Sequence, residues 1–239
     1  MEKSVVVFSG GMDSVTLLHY VKETYGGPIY GLSFYYGQRH GKELKFARYW
    51  GEKLCKEHRV IVLPFMKELA SKSALTSESI EVPQGQRYSR ENQRITVVPN
   101  RNMIMLSIAV AWAEDLEVNK VFYAAHHNDR EVYPDCRKEF VTALSLASQL
   151  GTYSHVEVLA PFVDKLKSEI VRLGIELGVD FSKTWSCYVG EERPCLRCAT
   201  CLERTGACLK NGIKDPLLTD EEWSRAVEFL REVDRDKIS

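Results

Sequence analysis

Along most of the chain, short apolar runs alternate with longer stretches in which apolar residues recur every three or four positions. Ser4 to Phe8 is a β-branched run broken by Ser9-Gly10-Gly11, after which Val15, Leu18 and Val21 keep helical spacing as far as Gly26-Gly27-Pro28. Ile29 to Tyr36 predicts a second strand. Lys42 to His58 predicts a helix with Leu44, Ala47 and Leu54 on one face, and Arg59 to Leu63 a third strand. Arg101 to Glu114 is apolar almost all round, which predicts a buried helix. Lys120 to Ala125 and His155 to Leu159 read as the fourth and fifth strands. A helix from Cys136 to Leu150 separates them, and another from Lys167 to Leu177 follows, closed by Gly178. Parallel strands need helical crossovers, so the alternation predicts an α/β fold: a doubly wound, mainly parallel five-stranded sheet, Rossmann-like, with helices on both faces.

Two stretches depart from the alternation. Ser71 to Arg94 is polar and irregular, with Pro83 and Gly85 inside it; a loop this long is a lid, a binding loop or disordered. After residue 185 the pattern changes to a cysteine-rich segment and a last helix. Thr219 and Glu222 form its capping box, and Trp223, Val227, Leu230 and Val233 form its apolar stripe. The expected organisation is therefore an α/β domain over residues 1–185 and a small metal-binding knob with a C-terminal helix over residues 186–239.

Composition narrows the function classes. A net charge of −1 lacks the basic excess of a general nucleic-acid binder, so no nucleic-acid partner is expected. No apolar run approaches the length of a membrane span, and Met1-Glu2-Lys3 leading into Val5-Val6-Val7 does not resemble a secretory leader. Seven cysteines, an odd number, then suggest a reducing cytoplasm, where clustered thiols mean metal or catalysis.

The first strand ends in Phe8-Ser9-Gly10-Gly11-Met12-Asp13-Ser14, immediately before a helix. Two glycines let the backbone approach an anion, and the helix start supplies free amides and a positive dipole end. Ser9 and Ser14 can donate to phosphate oxygens. Asp13 among phosphates requires a bridging divalent cation, which points to magnesium. No Gly-Lys-Ser/Thr follows, so this is not a Walker loop. The string resembles the pyrophosphate loop of the N-type ATP pyrophosphatases, which implies ATP cleaved to AMP and pyrophosphate by way of an adenylate.

Cys187, Cys195, Cys198 and Cys201 supply four thiolates with two short chelate arms, the donor set of a closed structural zinc site. An iron–sulfur cluster is the competing occupant. Lys183, Arg193, Arg197 and Arg204 flank the cluster and can offset its negative charge or contact an anionic substrate.

Other chemistry follows the strands at their ligand-facing ends. His40, in Gly37-Gln38-Arg39-His40, is an acid–base group or a nucleotide contact. Arg101 opens the apolar helix and can reach a phosphate or carboxylate. His126 and His127 are too poorly oriented as neighbours to share a metal, and suit binding contacts. Asp129 and Asp135 can accept hydrogen bonds from a guanine-like edge. Lys165 or Lys167 can hold a phosphate or a reacting carboxylate.

Together these strings resemble the 7-cyano-7-deazaguanine synthases, in the pathway to queuosine and archaeosine. The resemblance runs from Val5 to about Arg204. It rests on the phosphate loop, Tyr36-Gly37-Gln38-Arg39-His40, Val98-Pro99-Asn100-Arg101-Asn102, Tyr133-Pro134-Asp135-Cys136-Arg137, Lys167-Ser168-Glu169 and the segment Ser186-Cys187-Tyr188 to Cys201. It implies an adenine-nucleotide alpha-hydrolase fold and a ligase that adenylates 7-carboxy-7-deazaguanine, adds ammonia to give an amide, and activates that amide again to give the nitrile. It further implies Asp13, Lys167 and Arg101 as catalytic groups. Phe8, Ser9, Gly10, Gly11, Met12, Asp13, Ser14 and His40 would bind the nucleotide, and Arg101, Asp129, Tyr133, Asp135 and Arg137 the base. Structural zinc, magnesium and a homodimer belong to the same implication. A related ligase that joins the acid to another amine and stops at the amide, and a tRNA-modifying relative, are the alternatives. Four departures from the family pattern cover five residues: Asn100, Ala124 and Leu196 replace glycines, and Glu131-Val132 replaces Ser-Gly. Glycines lost from a pocket wall are expected to narrow it or redirect its backbone.

Overall fold

A computed structural model describes residues 2–86 and 90–235. Its five strands are β1 (Glu2–Val7), β2 (Gly26–Tyr35), β3 (Glu57–Val62), β4 (Lys120–Phe122) and β5 (Glu157–Leu159). They form one sheet in the order β3-β2-β1-β4-β5, with every neighbouring pair parallel. The connecting helices are α1 (Met12–Tyr25), α2 (Glu43–Leu54), the short α3 (Phe65–Leu69) and α4 (Arg90–Gln93), α5 (Arg101–Asp115) and α6 (Lys138–Gly151). Beyond the sheet lie α7 (Lys167–Glu176), α8 (Ala199–Lys210) and α9 (Asp220–Arg235).

The period of two along the strands divides the core between the two faces. Val5 and Val121 point towards α5 and α6, in a cluster with Leu106, Ala109 and Leu144. Their neighbours Val6 and Phe122 point the other way, against Val15 and Leu18 of α1, Ala47 of α2 and Ile170 of α7. Both faces are covered, which is why the strands read as unbroken apolar runs. Ala207 and Cys208 of α8 join the second cluster, so the cysteine-bearing segment packs directly on the sheet's own helices.

The structure differs from the pattern-based expectation at several places. The second helix stops at Leu54, because Cys55 is already extended (ψ 147°) and β3 begins at Glu57. The apolar helix α5 is not buried all round: Ser107 and Ala111 are exposed, while Met105, Leu106, Ala109 and Ala113 enter the core. Helix α8 was hidden in the sequence by its cysteines. The described part of the irregular stretch is a packed strap, with Ala74 and Leu75 fully buried and Ala74 N donating to Ile95 O at 2.8 Å. Gly85 N donates to Arg197 O at 2.9 Å, tying its far end to the cysteine segment. Residues 87–89 of that stretch, and 236–239 of the expected C-terminal unit, lie outside the described residues.

Candidate active site

Strand order reverses direction at β1, whose connections run to β2 on one side while β4 lies on the other. A crevice opens beyond the carboxyl ends of β1 and β4, where an open parallel sheet takes its ligand. The loop Phe8–Ser14 forms its floor, and Tyr123, His126, Asp129 and Lys167 form one wall. Arg101, His40 and Glu43 form the other.

Gly10 sets the loop's path. Its φ is +89°, and a Cβ there would sit 2.3 Å from Glu43 O and 2.6 Å from Ala47 N, both backbone atoms of α2. Trp185 N donates to Gly10 O at 3.0 Å, fixing the loop from above. The loop amides already collect oxygen acceptors: Ser9 N donates to Ser14 Oγ at 3.2 Å and Gly11 N to Ser9 Oγ at 3.2 Å. Such a nest of amides suits the oxygens of a phosphate chain. Phe8 and Asp13 line the crevice, whereas the side chain of Met12 turns into the core beside Val15.

Four charged groups run in a chain across the wall. Lys167 Nζ contacts Asp13 Oδ2; His126 Nε2 lies 3.6 Å from the same oxygen and 3.3 Å from Asp129 Oδ2. Burial pushes the Asp13 carboxyl up, but Lys167 and His126 more than reverse this and hold it far below the usual carboxylate range. Burial pulls His126 down, and Asp129 with Asp13 overcomes that pull to hold it near about 9. Asp129 is raised, chiefly by burial. Asp13 Oδ1 and His126 Nδ1 are buried with no hydrogen-bond partner among the described residues. An anionic oxygen with nothing to bind, beside an amide nest, fits a divalent cation shared with phosphates.

On the opposite wall Arg101 donates to Tyr36 Oη at 3.0 Å, leaving the rest of its guanidinium towards the crevice. Burial and Arg101 together push His40 down to about 3, so its ring is neutral. Asn128 Oδ1 accepts from Lys167 N at 3.2 Å, capping α7 and placing Lys167 on its first turn. Glu43 and Glu203 also line the crevice and were not found from the sequence. Burial raises each of them to about 7, against the pull of Gln38 and Arg101 on Glu43 and of Lys167 and His126 on Glu203. The available signal was Glu43 three residues after His40, across the turn that opens α2, in which Glu43 N donates to His40 O at 3.0 Å.

The remaining expected site residues stand behind the crevice. Asp135 Oδ2 accepts from Asn102 N at 2.9 Å, so this carboxylate caps α5 and thereby aims Arg101. Tyr133 Oη pairs with Thr96 Oγ1 at 2.8 Å and lies 3.4 Å from Tyr188 Oη. Arg137 is turned outwards and donates to Arg130 O at 2.9 Å. Two of the four departures keep a glycine-like backbone: Asn100 has φ +56° and Leu196 φ +65°. Asparagine enters this region readily; leucine does so at about 1–2 kcal/mol, offset by its packing against Leu218 and Ala226. Of the four glycine replacements only Ala124 lines the crevice, and Val132 is core.

The four cysteine sulfurs lie within 4.8 Å of one another. Thiolates about 2.3 Å from a central ion would be about 3.8 Å apart. Cys195 and Cys201 are 3.9 Å apart and Cys198 and Cys201 3.5 Å, close to that spacing, so the set suits a tetrahedral ion. Backbone N–H groups of Cys195 and Cys198 donate to Cys187 Sγ and Cys195 Sγ, each at 3.3 Å. The flanking arginines are engaged elsewhere. Arg204 is buried with both Asp215 oxygens (2.5 and 2.8 Å), Arg193 pairs with Glu222, and Arg197 lies over Phe229. They hold α8 and α9 to the body of the protein, and Arg204 also feels the charge of Cys201.

Residues 3–212 match the family described as Queuosine biosynthesis protein QueC. A 7-cyano-7-deazaguanine synthase of Archaeoglobus fulgidus is 51% identical over 97% of this chain and 96% of its own. Those of Caldicellulosiruptor saccharolyticus (50%; 90% of this chain, 94% of that one) and a Marinomonas species (44%; 90% and 97%) are similar. Such likeness, near end to end on both sides, places the phosphate loop, the charged wall and the four-cysteine segment in one common framework, and the chain belongs to the QueC family.

Proposed function

We propose that the protein converts 7-carboxy-7-deazaguanine and ammonia to 7-cyano-7-deazaguanine, consuming ATP through adenylated intermediates. The observation that carries this reading is the convergence, in one crevice at the sheet's switch point, of an amide nest, the Lys167–Asp13–His126–Asp129 chain and a buried arginine. A carboxylate is a poor electrophile, and transfer of the nucleotide's α-phosphorus to it creates a good leaving group. The loop amides and Ser9 and Ser14 hold the phosphate chain. Lys167 stabilises charge as the pyrophosphate departs, and Arg101 steers the acid's carboxylate towards the nucleotide. Asp129 accepts from the base edge, with Tyr133 and Asp135 supporting that wall. Asp13 Oδ1 would hold a magnesium ion, which when bound would neutralise charge on the phosphates. The four cysteines would hold a zinc ion, which when bound would stiffen the arm that carries Trp185 and Tyr188 over the loop. The same reading makes the protein a carbon–nitrogen ligase, a cytoplasmic homodimer and a reader of small molecules, with no nucleic-acid partner.

The test is exchange of labelled pyrophosphate into ATP. Exchange that requires 7-carboxy-7-deazaguanine is the expected result; exchange indifferent to that acid would refute the substrate assignment.

A further inference from the structure

Ammonia in neutral water is mostly ammonium, which carries no lone pair for attack. A site that uses it must bind a small cation and remove a proton beside the acyl carbon. Glu43, on the first turn of α2, lines the crevice directly next to the phosphate loop. Its Oε1 accepts from Gln38 Nε2 at 3.3 Å and lies 3.4 Å from His40 Nε2. Gln38 is itself fixed, accepting from Tyr36 N at 2.8 Å and donating to Phe34 O at 3.0 Å. His40 is 4% exposed, and its Nδ1 has no hydrogen-bond partner among the described residues. With Nε2–H turned to the carboxylate, Nδ1 keeps a lone pair that no described residue engages, so this corner offers that nitrogen and the Glu43 carboxylate as acceptors for a small cation. The Tyr188 ring packs 5.2 Å from His40 and closes this corner.

We propose that Glu43 and His40 form an ammonium subsite, in which the Glu43 carboxylate takes a proton from ammonium and releases ammonia onto the acyl adenylate. This rests on the activation chemistry proposed above. Ammonium gives one proton to Glu43, and its freed pair forms the C–N bond. The tetrahedral nitrogen loses a second proton to solvent, and the C–O bond to AMP breaks with its electrons on the phosphate. Acyl adenylate and ammonium thus become amide, AMP and two protons. The charged and titratable groups facing Glu43 are His40 on its own turn and Arg101 from α5, with the Ser9 hydroxyl from the loop. Burial raises the Glu43 carboxyl to about 7 despite Gln38, Arg101 and Ser9, which suits a base working in neutral solution. Arg101, on the same wall and bound to Tyr36 Oη, would hold the acid's carboxylate beside this subsite.

The unaltered protein provides the first test, the pH dependence of amide formation at subsaturating total ammonium. The subsite predicts a rise that levels off above about pH 7, where Glu43 is ionised. An unbroken rise towards ammonia's own titration range would overturn it. Glu43→Gln provides the second. It should lose about 100-fold in kcat/KM for ammonium at neutral pH. It should keep acid-dependent pyrophosphate exchange and still form hydroxamate from hydroxylamine, which is already neutral. Glu43→Asp should recover part of the loss. Equal losses with ammonium and hydroxylamine would overturn the subsite. Absence of acid-dependent exchange in the unaltered protein would overturn the activation chemistry itself, a failure visible before any amine is added.

Discussion

Gly10→Ala concentrates the loop's design in one methyl group. The residue sits at φ +89°, and the added Cβ would fall 2.3 Å from Glu43 O and 2.6 Å from Ala47 N. Backbone strain of this kind costs about 1–3 kcal/mol, and forcing an atom into a packed site about 1–3 more. The expected loss is therefore about 2–6 kcal/mol, against a total stability of about 5–15. Gly178→Ala is the control, since its φ is +69° but nothing lies within 4 Å of the new Cβ. It should lose only the strain, about 1–2 kcal/mol. Urea denaturation of both variants, with the slope checked for constancy, measures the difference. Because Gly10 can relieve its clash only by moving the loop away from α2, acid-dependent pyrophosphate exchange should also collapse in that variant and persist in Gly178→Ala. Equal destabilisation, or normal exchange in Gly10→Ala, would refute the claim that close approach of loop and α2 builds the site.

Three further outcomes follow. Asp215→Ala leaves the buried Arg204 guanidinium without its partner and should cost about 3–5 kcal/mol in the same denaturation assay; a loss below about 1 would show that the pair is dispensable. In Asp13→Asn, AMP formation should vanish while the circular dichroism spectrum is kept, and the His126 midpoint followed by NMR should fall from about 9 towards its ordinary 6.5. The stability from charged His126 is complete below 6.5 and is lost as pH rises through about 9, so the variant should also show a flatter stability profile over that window. Cys198→Ser should lose bound zinc by elemental analysis together with soluble yield; a soluble, active, metal-free variant would contradict a structural role.

The sheet and the loop were legible because they rest on local rules. Val5 and Val6 face opposite clusters, yet both are apolar, which is the signature of a strand covered on two faces. Ser9 to Ser14 was legible because glycines before a helix need a reason. Helix α8 was not, since Cys201 within it and Cys198 at its N-cap read as members of the four-cysteine cluster and obscure the apolar stripe. Glu43 and Glu203 were missed because an acidic residue on a helix ordinarily faces water, and only the folding of α2 and α8 over the crevice buries them. Asp135 is expected from the sequence to read the base, and one of its oxygens also caps α5 by accepting from Asn102 N, a contact the sequence pattern does not show. Asn100 and Leu196 looked like lost glycines, but glycine's backbone angle survives at both.

The central claim is that this crevice turns a deazaguanine acid into a nitrile. Mass spectrometry of the products after incubation with ATP, magnesium, 7-carboxy-7-deazaguanine and ammonium tests it directly. The account predicts 7-cyano-7-deazaguanine together with AMP. Accumulation of the amide as the final product, or an acid left unconsumed while ATP is available, would contradict it.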